Sequence, residues 1–276
     1  MEARDREFEF SDEDFHSLRD LVRDLSGITL SDAKRELVYG RLSRRLRVLG
    51  LTSFRQYRRL LVGARRDMEL AEFTNALTTN LTSFFREKHH FEILRDHVLA
   101  SGRRIRIWSA GCSTGEEPCS IAMAIAEALP DWQREDIRIL ATDLDTSVLM
   151  RANAGLYAEE RLATLSPERR ERFFKREEEE DGRVFWRFDP ALAGLITYRP
   201  LNLMHPLPMR GPLDAIFCRN VIIYFDKPTQ RSLFSRIAPL QAPGGYLFLG
   251  HSESLINVSE AYESIGRTVH RRRGGH

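Results

Sequence analysis

A chain of 276 residues, 42% of them apolar and 30% charged, is long enough for one large domain or a main domain with a smaller one, and a formal charge of only +2 excludes nucleic-acid binding by overall balance alone. Three scattered cysteines, Cys112, Cys119 and Cys218, exclude a disulfide framework and a cysteine-based zinc site, and they suit a reducing compartment. The N-terminal MEARDREFEF lacks the apolar core of a signal peptide and no stretch approaches the ~20 apolar residues of a bilayer span, so the chain reads as cytoplasmic.

Residues 1–80 read as a helical domain. Phe15, Leu18, Leu21, Val22 and Leu25 recur at three- and four-residue steps until Gly27 ends the stretch. Ser31-Asp32 reads as the cap of a second helix that carries Leu37, Val38, Leu42, Leu46 and Leu49 and closes at Gly50. Ser53 opens a third helix, and Asp67 to Leu77 form a fourth.

From Arg104 the pattern changes to strands alternating with helices. Arg104–Ala110 reads as a strand running into Gly111-Cys112-Ser113-Thr114-Gly115. Glu116 to Leu129 follow as a helix, with Pro118 in the first turn, where a missing N–H costs little. Ile137–Thr142 is a second strand ending at Asp143-Leu144-Asp145, Leu213–Cys218 a third, and Gly245–Gly250 a fourth after a Pro-Gly-Gly turn. Such alternation predicts a parallel sheet with helices on both faces. Between Leu156 and Leu203 the pattern predicts a helix and a small hairpin-like insertion, with the acidic run Glu177–Asp181 as a solvated turn. The C-terminal RRRGGH reads as a disordered end.

The segment GCSTGEEP has three functional readings beside that of a tight strand-to-helix turn: a dinucleotide loop, a nucleophile elbow, or the cofactor loop of a methyltransferase. A dinucleotide loop sets a pyrophosphate over the helix N-terminus, where Glu116 and Glu117 would repel it. Two carboxylates suit instead a ligand carrying an ammonium and a sulfonium, as S-adenosylmethionine does. The elbow reading has a literal G-x-S-x-G, with Asp226 and His251 following in order, but it leaves Asp143, Asp145 and NLTSFFREKHHF without a role. A carboxylate at the end of the second strand can accept both hydroxyls of a ribose; Asp143 is the first choice and Asp145 the second, although an Asp at a strand end is by itself more often a helix cap than a ribose ligand.

Five segments then agree with one family: Asn80 to Phe91 (NLTSFFREKHHF), Ser113 to Pro118 (STGEEP), Thr142 to Asp145 (TDLD), Cys218 to Asp226 (CRNVIIYFD) and Gly250 to Glu253 (GHSE). In this order they resemble the signatures of the CheR-type glutamate O-methyltransferases of chemotaxis receptors. The resemblance implies an N-terminal all-helical domain over 1–80 and a class I S-adenosylmethionine-dependent methyltransferase domain over 81–276. That domain would have a Rossmann-like, mostly parallel sheet and a small antiparallel β-subdomain inserted at about 165–200. By motif position it places Asn80, Thr82, Arg86, Glu117, Asp143, Asn202, Leu203, Arg219 and Asn220 on the cofactor, and Arg86 and Tyr224 nearest the transferring methyl and the substrate carboxylate. The chemistry is consistent on its own terms, because a glutamate side chain is already an ionised nucleophile at neutral pH and needs positioning more than a general base. For Arg86 a plain ion pair at a domain junction, and for Tyr224 packing beside Phe225, stand as the alternatives.

Eleven Lys or Arg (34, 35, 41, 44, 45, 47, 55, 58, 59, 65, 66) face one acid, Glu36, between Lys34 and Arg66. Such a stripe can steer an acidic partner. The family implies as that partner the methyl-accepting helical bundle of a chemoreceptor, and the basic helix around Arg41–Arg47, with Arg41, Arg44 and Arg45, is expected to dock it. Methylation of RNA or another protein, a non-catalytic cofactor-binding sensor, and a serine hydrolase remain as alternatives, although no interleaved aromatic platform favours nucleic acid. Adjacent His89 and His90 point ~100° apart on a helix, so no metal is expected, and the chain is read as a monomer without membrane insertion.

Overall fold

In the computed structural model, which describes residues 6–63, 66–101, 104–179 and 181–274, the chain forms two units. One runs to Thr79 and takes in Tyr224–Asp226; the other holds Asn80–Ile223 and resumes at Lys227.

The first unit is all helical: α1 (Asp12–Ser26), α2 (Arg35–Leu49), α3 (Phe54–Val62) and α4 (Arg66–Leu77). Helix α1 starts at a capping box in which the Ser11 hydroxyl accepts from the Asp14 N–H at 3.1 Å and the Asp14 carboxylate accepts from the Ser11 N–H at 3.2 Å. It stops at Gly27, whose left-handed φ of 75° lets its N–H reach the Arg23 carbonyl at 2.8 Å. Ser53 caps α3 by accepting from the Gln56 N–H. The expected cap at Ser31-Asp32 is different: Ser31 makes no capping bond, and Asp32–Lys34 form a 3₁₀ turn before α2 begins at Arg35. Arg35 pins that start by donating to the Asp12 carboxylate and the Phe10 carbonyl, both at 2.6 Å. Phe15, Leu18, Leu42, Leu46, Phe54 and Phe73 fill the core.

The core also contains a polar cluster. Glu69, buried, accepts from Arg45 Nε and Nη2 at 2.8 and 2.7 Å and from the Tyr57 hydroxyl at 2.8 Å. Burial and the Glu69 charge push the Tyr57 phenol well above its ordinary range, so it remains a donor.

The second unit begins with the short α5 (His89–Ile93) and continues β1 (Arg104–Ala110), α6 (Glu116–Ala128), β2 (Asp136–Asp143), α7 (Thr146–Ala154), β3 (Leu156–Ala158), α8 (Pro167–Phe173), β4 (Phe174–Glu178), β5 (Val184–Phe188), α9 (Pro190–Ala193), β6 (Ile196–Pro200), β7 (Leu213–Cys218), α10 (Lys227–Ile237), β8 (Gln241–Leu249), β9 (Tyr262–Gly266) and β10 (Val269–Arg272). The main sheet has the order β6-β2-β1-β7-β8-β10-β9; its first five strands are parallel and the β9–β10 hairpin adds antiparallel to β8. A separate antiparallel sheet has the order β3-β5-β4. This is the class I methyltransferase architecture with its small inserted sheet. The central strands become continuously buried toward their C-terminal ends, Ile107-Trp108-Ser109-Ala110 in β1 and Ala215-Ile216-Phe217-Cys218 in β7, as both faces of a parallel sheet are covered there.

Two readings change. The Pro-Gly-Gly segment lies inside β8, where the register against β7 shifts between Leu213↔Gln241 and Ala215↔Tyr246; it is a bulge with Gly244 at φ 79°. The end of the chain is not a loose tail up to Gly274: Arg271 and Arg272 belong to β10, and the Arg272 guanidinium donates to the Ala238 and Ala261 carbonyls at 3.1 and 3.0 Å. The acidic run forms the β4–β5 turn, with Glu179 and Asp181 paired to Arg183 and Glu177 to Arg187; Glu180 lies outside the described residues. No helix of the described residues is long and apolar enough to cross a membrane.

Candidate active site

The parallel strands β1, β2 and β7 end on one edge of the sheet, where open α/β folds bind ligands. After β1 the chain turns sharply, and the N–H groups of Gly111 and Cys112 both donate to the Thr142 carbonyl at 2.8 and 2.9 Å. Gly111 has φ 87°, and a Cβ there would sit 2.4 Å from a Val221 methyl, so both conformation and space demand glycine. Ser113 follows with φ 49°, and its N–H donates to the Asp143 carboxylate at 2.8 Å.

The two glutamates at the start of α6 separate in role. Glu116 is fully buried and already engaged: Arg161 grips it through two nitrogens and the Thr114 hydroxyl donates to it at 2.6 Å. It therefore does not share the ligand-facing role first read for the pair. Glu117 accepts from the Ser109 hydroxyl at 2.7 Å and faces the Arg219 guanidinium at 3.2 Å. Burial raises its carboxyl above the ordinary range, opposed by Arg219 and Ser109. The two aspartates separate likewise. Asp145 caps α7, accepting from the N–H groups of Ser147 and Val148, and takes a bond from the Asn80 amide at 2.8 Å. Asp143 accepts from the N–H groups of Asp145 at 2.9 Å and Ser113 at 2.8 Å, with the Leu144 N–H also acting on it, and burial raises its pKa. A carboxylate has about four acceptor sites, so acceptor capacity remains beyond these bonds.

The segment after Asn80 meets this edge. The Asn80 carbonyl accepts from the Ser113 hydroxyl at 3.2 Å, and the Thr82 carbonyl from Arg161 at 3.2 Å. Arg86 donates to the Leu81 carbonyl at 3.2 Å, and its own carbonyl accepts from Arg219. Leu201, just after β6, donates to the Asp143 carbonyl at 2.9 Å; the next residue, Asn202, closes a turn by accepting from the Met204 N–H, and the Leu203 carbonyl accepts from Arg236 at 2.7 Å. Asn80, Thr82, Arg86, Glu117, Asp143, Asn202, Leu203, Arg219 and Asn220 thus all lie in one unit, on segments bonded to one another. Tyr224 belongs to the helical unit, where its carbonyl accepts from the Thr29 N–H at 2.8 Å. A cleft of about 550 Å³ also adjoins Asn80 and Asp145, but its polar lining is largely taken up by the Asn80–Asp145 and Arg161–Glu116 bonds.

The hydrolase reading fails on geometry. The Ser113 hydroxyl donates to a carbonyl, the His251 imidazole faces Glu87 at 3.1 Å, and Asp226 is paired with Arg23 at 2.8 Å. Nothing activates the serine.

Two acids were passed over although they sit within the quoted motifs. Glu253 accepts backbone N–H groups from Asn220, Val221, Ile222, Ile223 and Gly250. Glu87 accepts from the His251 N–H at 3.0 Å and faces Arg219 and His90. The available signal was an acid beside a motif arginine and another beside a motif glycine.

The His89 and His90 rings nevertheless reach one common acceptor: their Nε2 atoms lie 2.9 and 3.3 Å from the Arg267 carbonyl. Among the described residues no group of three or more His, Cys, Asp or Glu could hold a metal ion. His90 is fully buried, and burial, followed by the Arg219 and His89 charges, depresses its pKa to about 3. The unfolded chain takes up a proton near the ordinary value of about 6.5, so stability falls as pH drops below that value, at about 1.4 kcal/mol per pH unit. The unfolding free energy is expected to lose about 2 kcal/mol between pH 6.5 and 5 through this residue, and His90→Gln should abolish that share. Parallel pH curves for parent and variant would refute it.

The donor set fits S-adenosylmethionine. Asp143 retains acceptor capacity for a diol, the acidic start of α6 disfavours phosphate, and Glu117 places a carboxylate where a cationic ligand gains. Fold and site together define a class I S-adenosylmethionine-dependent methyltransferase. Comparison with known proteins makes the class specific. The family model "CheR methyltransferase, SAM binding domain" matches residues 80–271, and "CheR methyltransferase, all-alpha domain" matches residues 13–78. The chain is 46% identical to a probable chemotaxis protein methyltransferase of Rhizobium etli, over 89% of this chain and 94% of that one. It is 44% identical to the chemotaxis protein methyltransferase of Escherichia coli K12 (94% and 91% covered) and 45% identical to chemotaxis protein methyltransferase 2 of Pseudomonas aeruginosa PAO1 (96% and 95%). The chain belongs to the CheR methyltransferase family.

Proposed function

We propose that the protein transfers a methyl group from S-adenosylmethionine to glutamate side chains of chemoreceptor cytoplasmic bundles, forming glutamyl methyl esters and S-adenosylhomocysteine. The observation that carries this reading is the gathering of Asp143, Glu117, Arg219 and the Arg86 turn on one sheet edge with no activated nucleophile or base beside them. When bound, the cofactor supplies an electrophilic methyl on a sulfonium; the new bond is to a carboxylate oxygen, the broken bond is to sulfur, and no proton moves. Asp143 would accept the ribose hydroxyls, Glu117 and Arg219 would set the charge around the cationic part, and Asn80, Thr82, Asn202, Leu203 and Asn220 would complete the cofactor's contacts. Arg86 holds the acceptor carboxylate, with guanidinium donors matched to its two oxygens. For Tyr224 an orienting hydrogen bond is proposed from its place in the Cys218–Asp226 motif alone.

The docking cations we propose are Arg44, Arg55 and Arg59, which are exposed and make no ion pair among the described residues. Of the residues first read as docking, Arg41 and Arg45 are bound within their own unit, by backbone carbonyls and by Glu69.

The test uses methyl-labelled S-adenosylmethionine with a chemoreceptor cytoplasmic fragment. Label should enter the fragment and leave as methanol in mild base. Base-stable label would mean another acceptor chemistry, and cofactor binding without turnover would replace the enzyme with a sensor.

A further inference from the structure

We infer that Glu87 is a positioning residue that holds Arg86 in place for the acceptor carboxylate; the inference rests on the role proposed for Arg86. Arg86 stands between two non-glycine residues with left-handed backbones, Phe85 at φ 50° and Glu87 at φ 56°. Such conformations persist only where the surroundings over-determine them. On the Phe85 side the constraint is ordinary packing: its N–H donates to the Ser120 hydroxyl at 2.9 Å, and its ring lies 4.9 Å from Phe91 and 3.9 Å from the Arg169 guanidinium.

On the other side the constraint runs through Glu87. One carboxylate oxygen accepts from the His251 N–H at 3.0 Å and faces the His251 imidazole at 3.1 Å, tying the turn to the end of β8. The other faces Arg219 Nε at 3.5 Å and His90 Nδ1 at 3.4 Å; these three buried atoms make no hydrogen bond among the described residues, so the charge of Arg219 and the exclusion of other partners hold them together. Arg219 is itself the donor to the Arg86 carbonyl, and its guanidinium is held between Glu87 and Glu117. Glu87 therefore fixes Arg86 twice: through its own backbone turn, and through the orientation of Arg219. The Arg86 side chain has one bond among the described residues, to the Leu81 carbonyl at 3.2 Å. Its direction is accordingly set by the backbone beneath it. Burial pushes the Glu87 carboxyl up, but attraction by Arg219 and the His251 bonds outweigh it and keep the pKa below its ordinary value, so the clamp is ionised at neutral pH.

A structural role would be felt equally whether or not Arg86 is present, whereas a positioning role would vanish with it. The experiment is a cycle of Arg86→Ala, Glu87→Gln and the double variant, read as kcat and KM for methylation of a receptor fragment, with S-adenosylhomocysteine affinity measured by calorimetry. Arg86→Ala should lower kcat/KM about 100-fold, and Glu87→Gln about 10- to 30-fold, chiefly in kcat. At saturating S-adenosylmethionine Glu87→Gln should cost less than about twofold in kcat in the Arg86→Ala background, and because Glu87 also faces Arg219, any weakening of S-adenosylhomocysteine binding should be the same in both backgrounds. If Glu87→Gln does not fold, Glu87→Asp, which keeps the charge beside Arg219 and shortens the reach to His251, goes through the same cycle. Equal losses of kcat in both backgrounds would overturn the inference and leave the role of Arg86 standing. An Arg86→Ala enzyme of normal activity would overturn both.

Discussion

Glu253→Gln is expected to lower the unfolding free energy by about 3–5 kcal/mol and to weaken S-adenosylhomocysteine binding by about 100-fold or more. The side chain is only 6% exposed and has no cation beside it among the described residues. Its charge is met instead by five backbone N–H groups. Asn220 and Gly250 donate to one oxygen at 2.8 and 2.6 Å, and Val221, Ile222 and Ile223 donate to the other at 2.9, 2.9 and 3.3 Å. Burial raises the Glu253 pKa above its ordinary value, and the N–H groups oppose that rise. A glutamine keeps the shape but must turn an NH₂ toward two or three donors, whichever way it is flipped. Each buried N–H left without an acceptor costs about 1–3 kcal/mol, and close N–H to N–H contact adds to that.

The effect on binding is expected to arise at the proposed cofactor contact, Asn220. Its backbone is left-handed at φ 59°, tolerable for Asn but still needing external restraint, and the restraint is the N–H bond to Glu253. Arg219, the preceding residue, stands between Glu117 and Glu87, so a displaced loop disturbs the charge balance of the site. Denaturant titration and calorimetry read the two effects separately. A stability loss below about 1 kcal/mol would show that the five N–H groups find water as easily as the carboxylate, and the account of the loop would fail.

What the sequence disclosed, and what it hid, follows the range over which each residue acts. Strands β1, β2 and β7 are legible because each is a short β-branched and apolar segment leading into a glycine- or acid-marked turn, and Gly27, Gly50 and Ser53 because caps act within a few residues. Pro243-Gly244-Gly245 was misread as a turn because a bulge uses the same residues, and only the register against β7 separates the two. The β9–β10 hairpin escaped because its turn places Arg267 and Thr268 at φ 50° and 61°, where Asn-Gly or Asp-Gly is the usual signal. In the candidate site, Asp143 and Glu117 could be singled out because a strand end and a helix start are local signals, and the structure places both at the same sheet edge. Glu87 and Glu253 are not legible in the same way because the His251 and Asn220 N–H groups that donate to them lie far along the chain, and a backbone donor carries no side-chain signature.

The same difference between local and distant partners separates the arginines of the basic stripe, and charge reversal should sort them into two groups. Arg45→Glu is expected to unfold the helical unit, with a loss of about 3–5 kcal/mol, because it sets a second carboxylate against buried Glu69 and also removes the bidentate bonds at 2.7 and 2.8 Å. Glu72, 3.4 Å from the Arg45 guanidinium, adds to the repulsion. Arg41 likewise serves its own unit, donating to the Thr78 carbonyl at 2.5 Å and to the Ala76 carbonyl and Thr79 hydroxyl near the end of α4, where a cation is favoured. Arg44, Arg55 and Arg59 have no such partners among the described residues, so their combined reversal should change stability by about 1 kcal/mol or less. It should instead slow receptor methylation about tenfold or more at low salt, with the deficit shrinking as ionic strength rises, since exposed charges act on an acidic partner mainly through encounter. An Arg45→Glu protein that stays folded and merely methylates slowly would return Arg45 to the docking surface. An Arg44, Arg55 and Arg59 triple reversal with undiminished low-salt rates would remove the basic stripe from receptor recognition.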